Sequence, residues 1–285
     1  MFIWLSSYPK SGNTFVRSLL SSYFFSEDGN FDFSMLKNIP QFPSAKLFKK
    51  LGLDLNNEDL ILQNYIRSQE EILKKNTNQT TFLKTHSTLH NIKGNPFTNL
   101  KNTLGVIYIV RDPRNIVQSY ANHNQISFDQ SVEILKSFTI LGSKKEPKDI
   151  SETIQTHLGS WSSHYNVWKE LEKLNKYILI KYEDLVLNTK ETFIKILKFI
   201  NNLTNSNLVI NYRKLENTIH STTFERLQEL EKKDKFPEAK KDLNNQDITF
   251  FKYGTKNDWK KTLSNELINK IETAFSKEMK ELGYL

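Results

Sequence analysis

Residues 2–25 read FIWLSSYPKSGNTFVRSLLSSYFF, and this stretch decides the fold. Phe2 to Ser7 is a short apolar run closed by Tyr8-Pro9, which reads as a strand ending in a turn. Ser11-Gly12-Asn13-Thr14 then precedes an apolar-periodic segment, Phe15 to Phe25. The spacing puts Val16, Leu19, Leu20 and Tyr23 on one face and predicts a capped amphipathic helix. The chain therefore opens strand, loop, helix. At such a junction the unpaired backbone amides and the helix dipole make an anion site. Gly12 lets the backbone come close to an oxyanion, Lys10 adds a point charge, and the hydroxyls of Ser11 and Thr14 add donors. In the nucleotide triphosphate version of this device, G-x-x-x-x-G-K-[ST], the Ser/Thr holds Mg²⁺. Here Lys10 precedes Gly12 and the first Gly is missing, which makes the loop a P-loop relative with no obvious metal or γ-phosphate requirement. An ordinary turn with a good N-cap is the competing reading.

Working outward, Thr80 to Thr85 reads as a second strand. Leu104 to Val110 (LGVIYIV) is the near-continuous apolar run of a strand buried on both faces. Asp112 is placed to cap the helix that follows to about Asn124, and Pro113 suits its first turn. Tyr177 to Lys181 (YILIK) reads as another buried-type strand. Residues 26–80 read as irregular and partly helical, chiefly around Glu58–Lys75. Helical patterns cover 128–139, 152–174, 188–201, 221–232 and 263–282, and Lys232–Asp247 reads as a charged mobile loop. Strands alternating with helices give an α/β fold, three-layered and P-loop-like, with a central mostly parallel sheet flanked by helices. No repeat or linker interrupts it, so residues 1–285 are read as a single domain.

Composition agrees with a globular chain and narrows the chemistry. With no cysteine, disulfides, thiolate nucleophiles and cysteine metal sites are excluded. The six histidines show no metal-site pattern, so no metal is expected. The net charge of +8 suits an anionic partner: nucleic acid, an anionic membrane, a polyanionic glycan or a phosphorylated cofactor. A basic solvated surface explains the charge equally well. No apolar stretch approaches the roughly 18–20 residues that span a bilayer, and the N-terminus lacks a signal h-region. The expectation is a cytoplasmic protein. Its oligomeric state is not written in the sequence.

Tyr8–Phe15 resembles the 5′-phosphosulfate loop of the sulfotransferases that use PAPS (3′-phosphoadenosine 5′-phosphosulfate), usually written YPKSGTTW. Asn13 replaces a Thr and Phe15 the Trp. Val106 to His123 (VIYIVRDPRNIVQSYANH) is similar to the family's 3′-phosphate segment, in which an Arg and a Ser bind that phosphate. The resemblance puts those roles on Arg111 and Ser119. A guanidinium at the carboxyl end of a buried strand also suits bidentate phosphate binding on physical grounds. A surface ion pair of Arg111 with Asp112 is the alternative. Leu83-Lys84-Thr85-His86 looks like the family's K-T-H motif, which makes His86 the catalytic base and puts Lys84 on the sulfonate. His90 lies off that motif and has no role.

Weaker matches complete the resemblance, which runs from residue 2 to 285. Tyr182-Glu183-Asp184 is similar to the family's YED motif, whose Tyr contacts adenine. Ser221 to Glu231 resembles its adenine-edge segment, with Thr222 and Phe224 flanking the base. Phe251 to Lys260 matches FRKGxxGDWK in outline, with Lys252, Tyr253 and Asn257 departing from it, and Lys252, Tyr253 and Gly254 fall on its donor-binding positions. Lys is a poor substitute for a bidentate guanidinium clamp. Trp259, Trp161 and Trp168 read as packing. The resemblance implies in-line transfer of a sulfonate from PAPS to a hydroxyl or amine, releasing 3′,5′-ADP. His86 would take the proton, while Lys84 and Lys10 neutralise charge. The acceptor is a small molecule or a glycan that the sequence does not name, and no nucleic-acid partner is implied. A nucleotide or small-molecule kinase, or a non-catalytic module for an anionic glycan or nucleic acid, are the competing classes.

Overall fold

The computed structural model describes residues 1–76, 80–142, 154–207, 209–239, 241, 246–252, 254 and 257–285. Tyr253 therefore lies outside the described residues. The chain opens with β1 (Phe2–Ser7) and α1 (Asn13–Phe25), as the opening stretch predicts. A 3₁₀ turn at Phe33–Asn38 leads to α2 (Ala45–Lys50), α3 (Glu58–Gln63), α4 (Tyr65–Lys75) and β2 (Thr81–Thr85). Then come β3 (Thr103–Val110), α5 (Pro113–Asn124), α6 (Phe128–Lys136), β4 (Thr139–Leu141), β5 (Thr156–Gly159) and α7 (Trp161–Lys169). After β6 (Tyr177–Lys181) follow α8 (Tyr182–Leu187), α9 (Thr189–Thr204), α10 (Tyr212–Ser221) and α11 (Phe224–Asp234). The chain closes with α12 (Trp259–Thr262), α13 (Asn265–Ala274) and α14 (Ser276–Glu281).

The central sheet is parallel, in the order β2-β1-β3-β6. Alternation along its strands makes the layers. Phe2, Trp4, Val106, Tyr108 and Val110 enter one core, while Ile3, Leu5, Ile107 and Ile109 enter the other. Residues of α7, α13 and α14 fill the first core and those of α1, α9 and α10 the second. Both faces of β1 and β3 are thus covered, which explains their unbroken apolar sequences. Two buried indoles are satisfied: Trp4 Nε1 donates to Thr103 Oγ1 at 3.1 Å and Trp168 Nε1 to the Ser87 carbonyl at 3.0 Å. Among the described residues no helix is long and apolar enough to cross a membrane.

Several expectations are corrected. YILIK is an edge strand, with only Ile180 buried, because β6 ends the sheet. The helix expected over 152–174 begins only at Trp161. Ser160 caps it, with the Ser163 amide 3.1 Å from Ser160 Oγ and the Ser160 amide returning to Ser163 Oγ at 2.9 Å. Before that cap, β5 pairs with β4 as an antiparallel ribbon. The helix expected over 221–232 is α11, which begins at Phe224, while Ser221 ends a separate helix, α10, that was not legible because only Leu215 and Thr218 are buried on it. Within Lys232–Asp247, Phe236 is not loose: it packs against Phe33, Phe250 and Phe251.

Candidate active site

The parallel register aligns the carboxyl ends of the strands, with Ser6 beside Thr85 and Val110 beside Lys181. Each strand end therefore delivers its next residues to one edge of the sheet, where open α/β folds bind ligands. There the structure holds a cavity of about 560 Å³. Of the residues singled out in the sequence, Lys10, Gly12, Asn13, Thr14, Phe15, Lys84, His86, Arg111, Ser119, Tyr182, Phe224, Lys252 and Gly254 line it. Segments up to 244 residues apart in sequence (254 − 10) thus meet at one surface.

The loop after β1 reaches α1 through two left-handed residues, Lys10 at φ 66° and Gly12 at φ 99°. Arg111 Nη1 donates to the Lys10 carbonyl at 3.1 Å, and its guanidinium lies 4.2 Å over the Tyr182 ring. Asp112 takes no part in this: its carboxylate accepts from the Arg114 amide at 2.9 Å and pairs with the Arg114 guanidinium at 2.7 Å. The surface pair of Arg111 with Asp112 is therefore not formed. Lys10 Nζ lies 4.0 Å over the Phe250 ring, and Lys252 Nζ donates to Asn122 Oδ1 at 2.8 Å. Ser11 Oγ and Arg111 Nε are buried with no hydrogen-bond partner among the described residues. Arg111 lines the cavity, so its orphaned Nε beside the loop fits a phosphate-bearing nucleotide.

Two expected positions are turned elsewhere. The Thr222 hydroxyl donates to the Thr218 carbonyl at 2.7 Å and is fully buried, while Thr223 lines the cavity instead. A threonine at a helix end bonds back to its own turn, which fixes its direction. Asn13 turns its amide inward, donating to the Leu5 carbonyl at 3.1 Å and Ser7 Oγ at 3.2 Å, so its side chain braces the loop. Ser11, also expected at the site, does not line the cavity. His90 borders neither this cavity nor its neighbour.

At the end of β2, His86 Nδ1 lies 2.7 Å from the Ser7 carbonyl. A carbonyl only accepts, so Nδ1 carries the proton and Nε2 keeps its lone pair. Burial, and then the charge of Lys84, lower the His86 pKa from 6.5 to about 3, which keeps the imidazole neutral. His164, fully buried, lies with Nε2 3.2 Å from the His86 carbonyl and Nδ1 2.8 Å from the Tyr108 hydroxyl. His164 was not singled out in the sequence, where it reads only as one polar residue on an aromatic helix.

The sequence also missed Arg17 and Glu238. The Glu238 carboxylate pairs with Lys84 Nζ at 2.9 Å and with Arg17, whose Nη2 donates to the Leu36 carbonyl at 2.7 Å. Burial disfavours the Glu238 anion, but Lys84 and Arg17 outweigh it and hold the pKa near 2. Burial likewise lowers the pKa of Lys84, against the pull of Glu238. One signal in the sequence was available: Arg17 stands in a helix whose neighbouring positions are all apolar or small.

A second cavity, of about 910 Å³, shares Gln41, His86, Tyr120, Asn124 and Leu141 with the first. Ile126, Ile134, Ile140 and Ile154 make much of its wall, with Pro40, Pro43, Lys46 and Lys49. The antiparallel ribbon that the sequence did not predict supplies part of this wall, through Ile140 and Thr156. His86 stands where the two cavities meet.

Residues 2–283 match the family model described as a sulfotransferase domain. Among known proteins, sulfotransferase 1A1 of Canis lupus familiaris is 24% identical over 283 residues, covering 98% of this chain and 83% of that protein. Luciferin sulfotransferase of Photinus pyralis is 25% identical over 284 residues, covering 95% and 69%. A mouse sulfotransferase solved in complex with PAP superposes with a TM-score of 0.59 at 18% identity, over 98% of this chain and 84% of that one. Retinol dehydratase, solved with androsterone and the inactive cofactor PAP, gives 0.60 at 13% identity, over 98% and 80%. These two structures share the fold. The motif order, the cavity at the strand ends and the match over nearly the whole length agree: the chain belongs to the sulfotransferase family.

Proposed function

We propose that this sulfotransferase moves the sulfonate of PAPS to a hydroxyl or amine of a small-molecule acceptor and releases 3′,5′-ADP. The observation that carries the reading is His86, a neutral imidazole at the junction of two cavities, one lined by cationic and phosphate-type donors and one by isoleucines and prolines with Lys46 and Lys49. In-line transfer needs the attacking oxygen or nitrogen on one side of the sulfur and the leaving phosphate oxygen on the other. It is chiefly a matter of positioning and charge. The acceptor's O–H or N–H bond breaks toward His86 Nε2, the new bond forms to sulfur, and the bond from sulfur to the phosphate oxygen breaks. Lys84 and Lys10 neutralise the sulfonate and the departing phosphate.

In this reading Arg111 and Ser119 take the 3′-phosphate, with the Gly12–Thr14 amides on the 5′ side. Tyr182, Phe15, Phe224 and Gly254 enclose the base, joined by Thr223 in place of Thr222. Lys252 reaches the phosphates as a point charge, and residues 1–285 work as one domain in the cytoplasm. The second cavity sets four isoleucines and two prolines beside Lys46 and Lys49, which suits an acceptor with an apolar body and a polar or anionic end. A thermal-shift titration tests the reading, because a ligand of the folded state raises stability by mass action. 3′,5′-ADP should stabilise the chain strongly and ATP weakly, since ATP lacks the 3′-phosphate. Equal shifts with both would favour a kinase.

A further inference from the structure

Arg17 and Lys84 are both almost wholly buried, with side chains 4% and 7% exposed, and their cationic groups converge on one carboxylate, that of Glu238. Two buried cations at one point make an anion site, and burial makes each costly to leave unpaired. Lys84 and Glu238 both line the first cavity, as does His86, two residues beyond Lys84 on the same strand end. The Glu238 carboxylate is thus a single negative charge held on Lys84, where a sulfonate would need that cation. The two cations keep Glu238 ionised at neutral pH, so it competes there as an anion.

We propose that Glu238 is a further residue of the donor site: an internal anion on the Arg17–Lys84 pair that yields Lys84 to the transferring sulfonate when PAPS binds. The inference rests on the PAPS reading above. It makes Glu238 a residue that discriminates donor from product. PAPS has to take Lys84 from the carboxylate, whereas 3′,5′-ADP carries no sulfonate and leaves the pair closed. Arg17 keeps its carboxylate partner in either state, so no buried arginine is left alone. After transfer the carboxylate returns to Lys84 and closes the pair again.

The test is equilibrium binding of PAPS and of 3′,5′-ADP, without acceptor, to the full chain and to Glu238→Gln. Removing the carboxylate should raise the affinity for PAPS relative to 3′,5′-ADP by about tenfold, the scale of one partly buried charge pair. A ratio that is unchanged or lower overturns the proposal, because Glu238 would then merely brace Lys84. Should Glu238→Gln lose its cooperative thermal transition, Glu238→Asp decides: its shorter side chain loosens the hold on Lys84 and should move the ratio the same way, by about threefold. An unmoved ratio there is equally fatal. Failure of 3′,5′-ADP to bind the unaltered chain would instead sink the PAPS reading itself.

Discussion

A Cβ on Gly12 would lie 2.4 Å from Cδ2 of Tyr182, so the loop glycine and the first residue of α8 are built against each other. The guanidinium of Arg111 stacks on the same tyrosine ring, and its Nη1 holds the loop at Lys10. Loop, ring and guanidinium form one unit across three strand ends.

Gly12→Ala should therefore act on nucleotide binding as well as on stability. The left-handed backbone alone costs about 1 kcal/mol for a non-glycine residue, and the ring has to move besides. The expected result is a lower melting temperature together with weaker 3′,5′-ADP binding, measured by thermal shift and calorimetry. Full affinity in the variant would show that Tyr182 is not part of the donor site.

His86→Ala should lower kcat by about 10²–10⁴-fold, the usual contribution of a positioned proton acceptor. The affinity for 3′,5′-ADP should change little, because the phosphate donors lie on the loop and on Arg111. Single-turnover kinetics beside nucleotide titration separates the two effects. An unaltered kcat on the true acceptor would leave His86 a structural residue.

Arg111→Ala should weaken 3′,5′-ADP by about 2–5 kcal/mol, as expected where one partner of a desolvated charge contact is lost. Chemistry should recover at high PAPS concentration. Arg111→Lys should restore only part of the affinity, since an ammonium makes neither the fork nor the same stack on Tyr182. Rescue to full affinity by Lys would contradict the guanidinium assignment.

Turnover should survive EDTA. The reaction as proposed neutralises charge with Lys10 and Lys84, and among the described residues no group of three or more His, Asp or Glu could hold a metal ion. Loss of activity on chelation, restored by Mg²⁺, would overturn this.

Stability should fall with pH well before the carboxylates titrate. His164 is fully buried, and burial lowers its pKa from 6.5 to about 3. Between those values the unfolded chain binds the proton and the folded chain does not, so acid favours unfolding. The loss begins as pH drops below 6.5 and grows by about 1.4 kcal/mol per pH unit from this residue. His86 acts with the same sign. Urea unfolding at pH 7, 6 and 5 measures the slope, and His164→Asn should flatten it.

Strands β1, β2 and β3, the helices after β1 and β3, and the motifs at the strand ends were all legible in the sequence. Those signals are local: an apolar run buried on both faces, a glycine turn before a periodic segment, an Asp-Pro cap whose bond to the Arg114 amide is present. Local signals also placed thirteen of the chosen residues around one cavity, because a parallel register brings strand ends together whatever lies between them. Rotation of a side chain about its own backbone was not legible, and so Thr222 and Asn13 face inward where the sequence had them facing a ligand. Tertiary structure alone decided the rest. Arg17 and Glu238 meet across 221 residues, and β4 pairs with β5 to wall the second cavity. No periodicity encodes such a meeting. A charged residue in a helix or a loop looks solvated until packing removes the water around it, and only then does its partner become necessary.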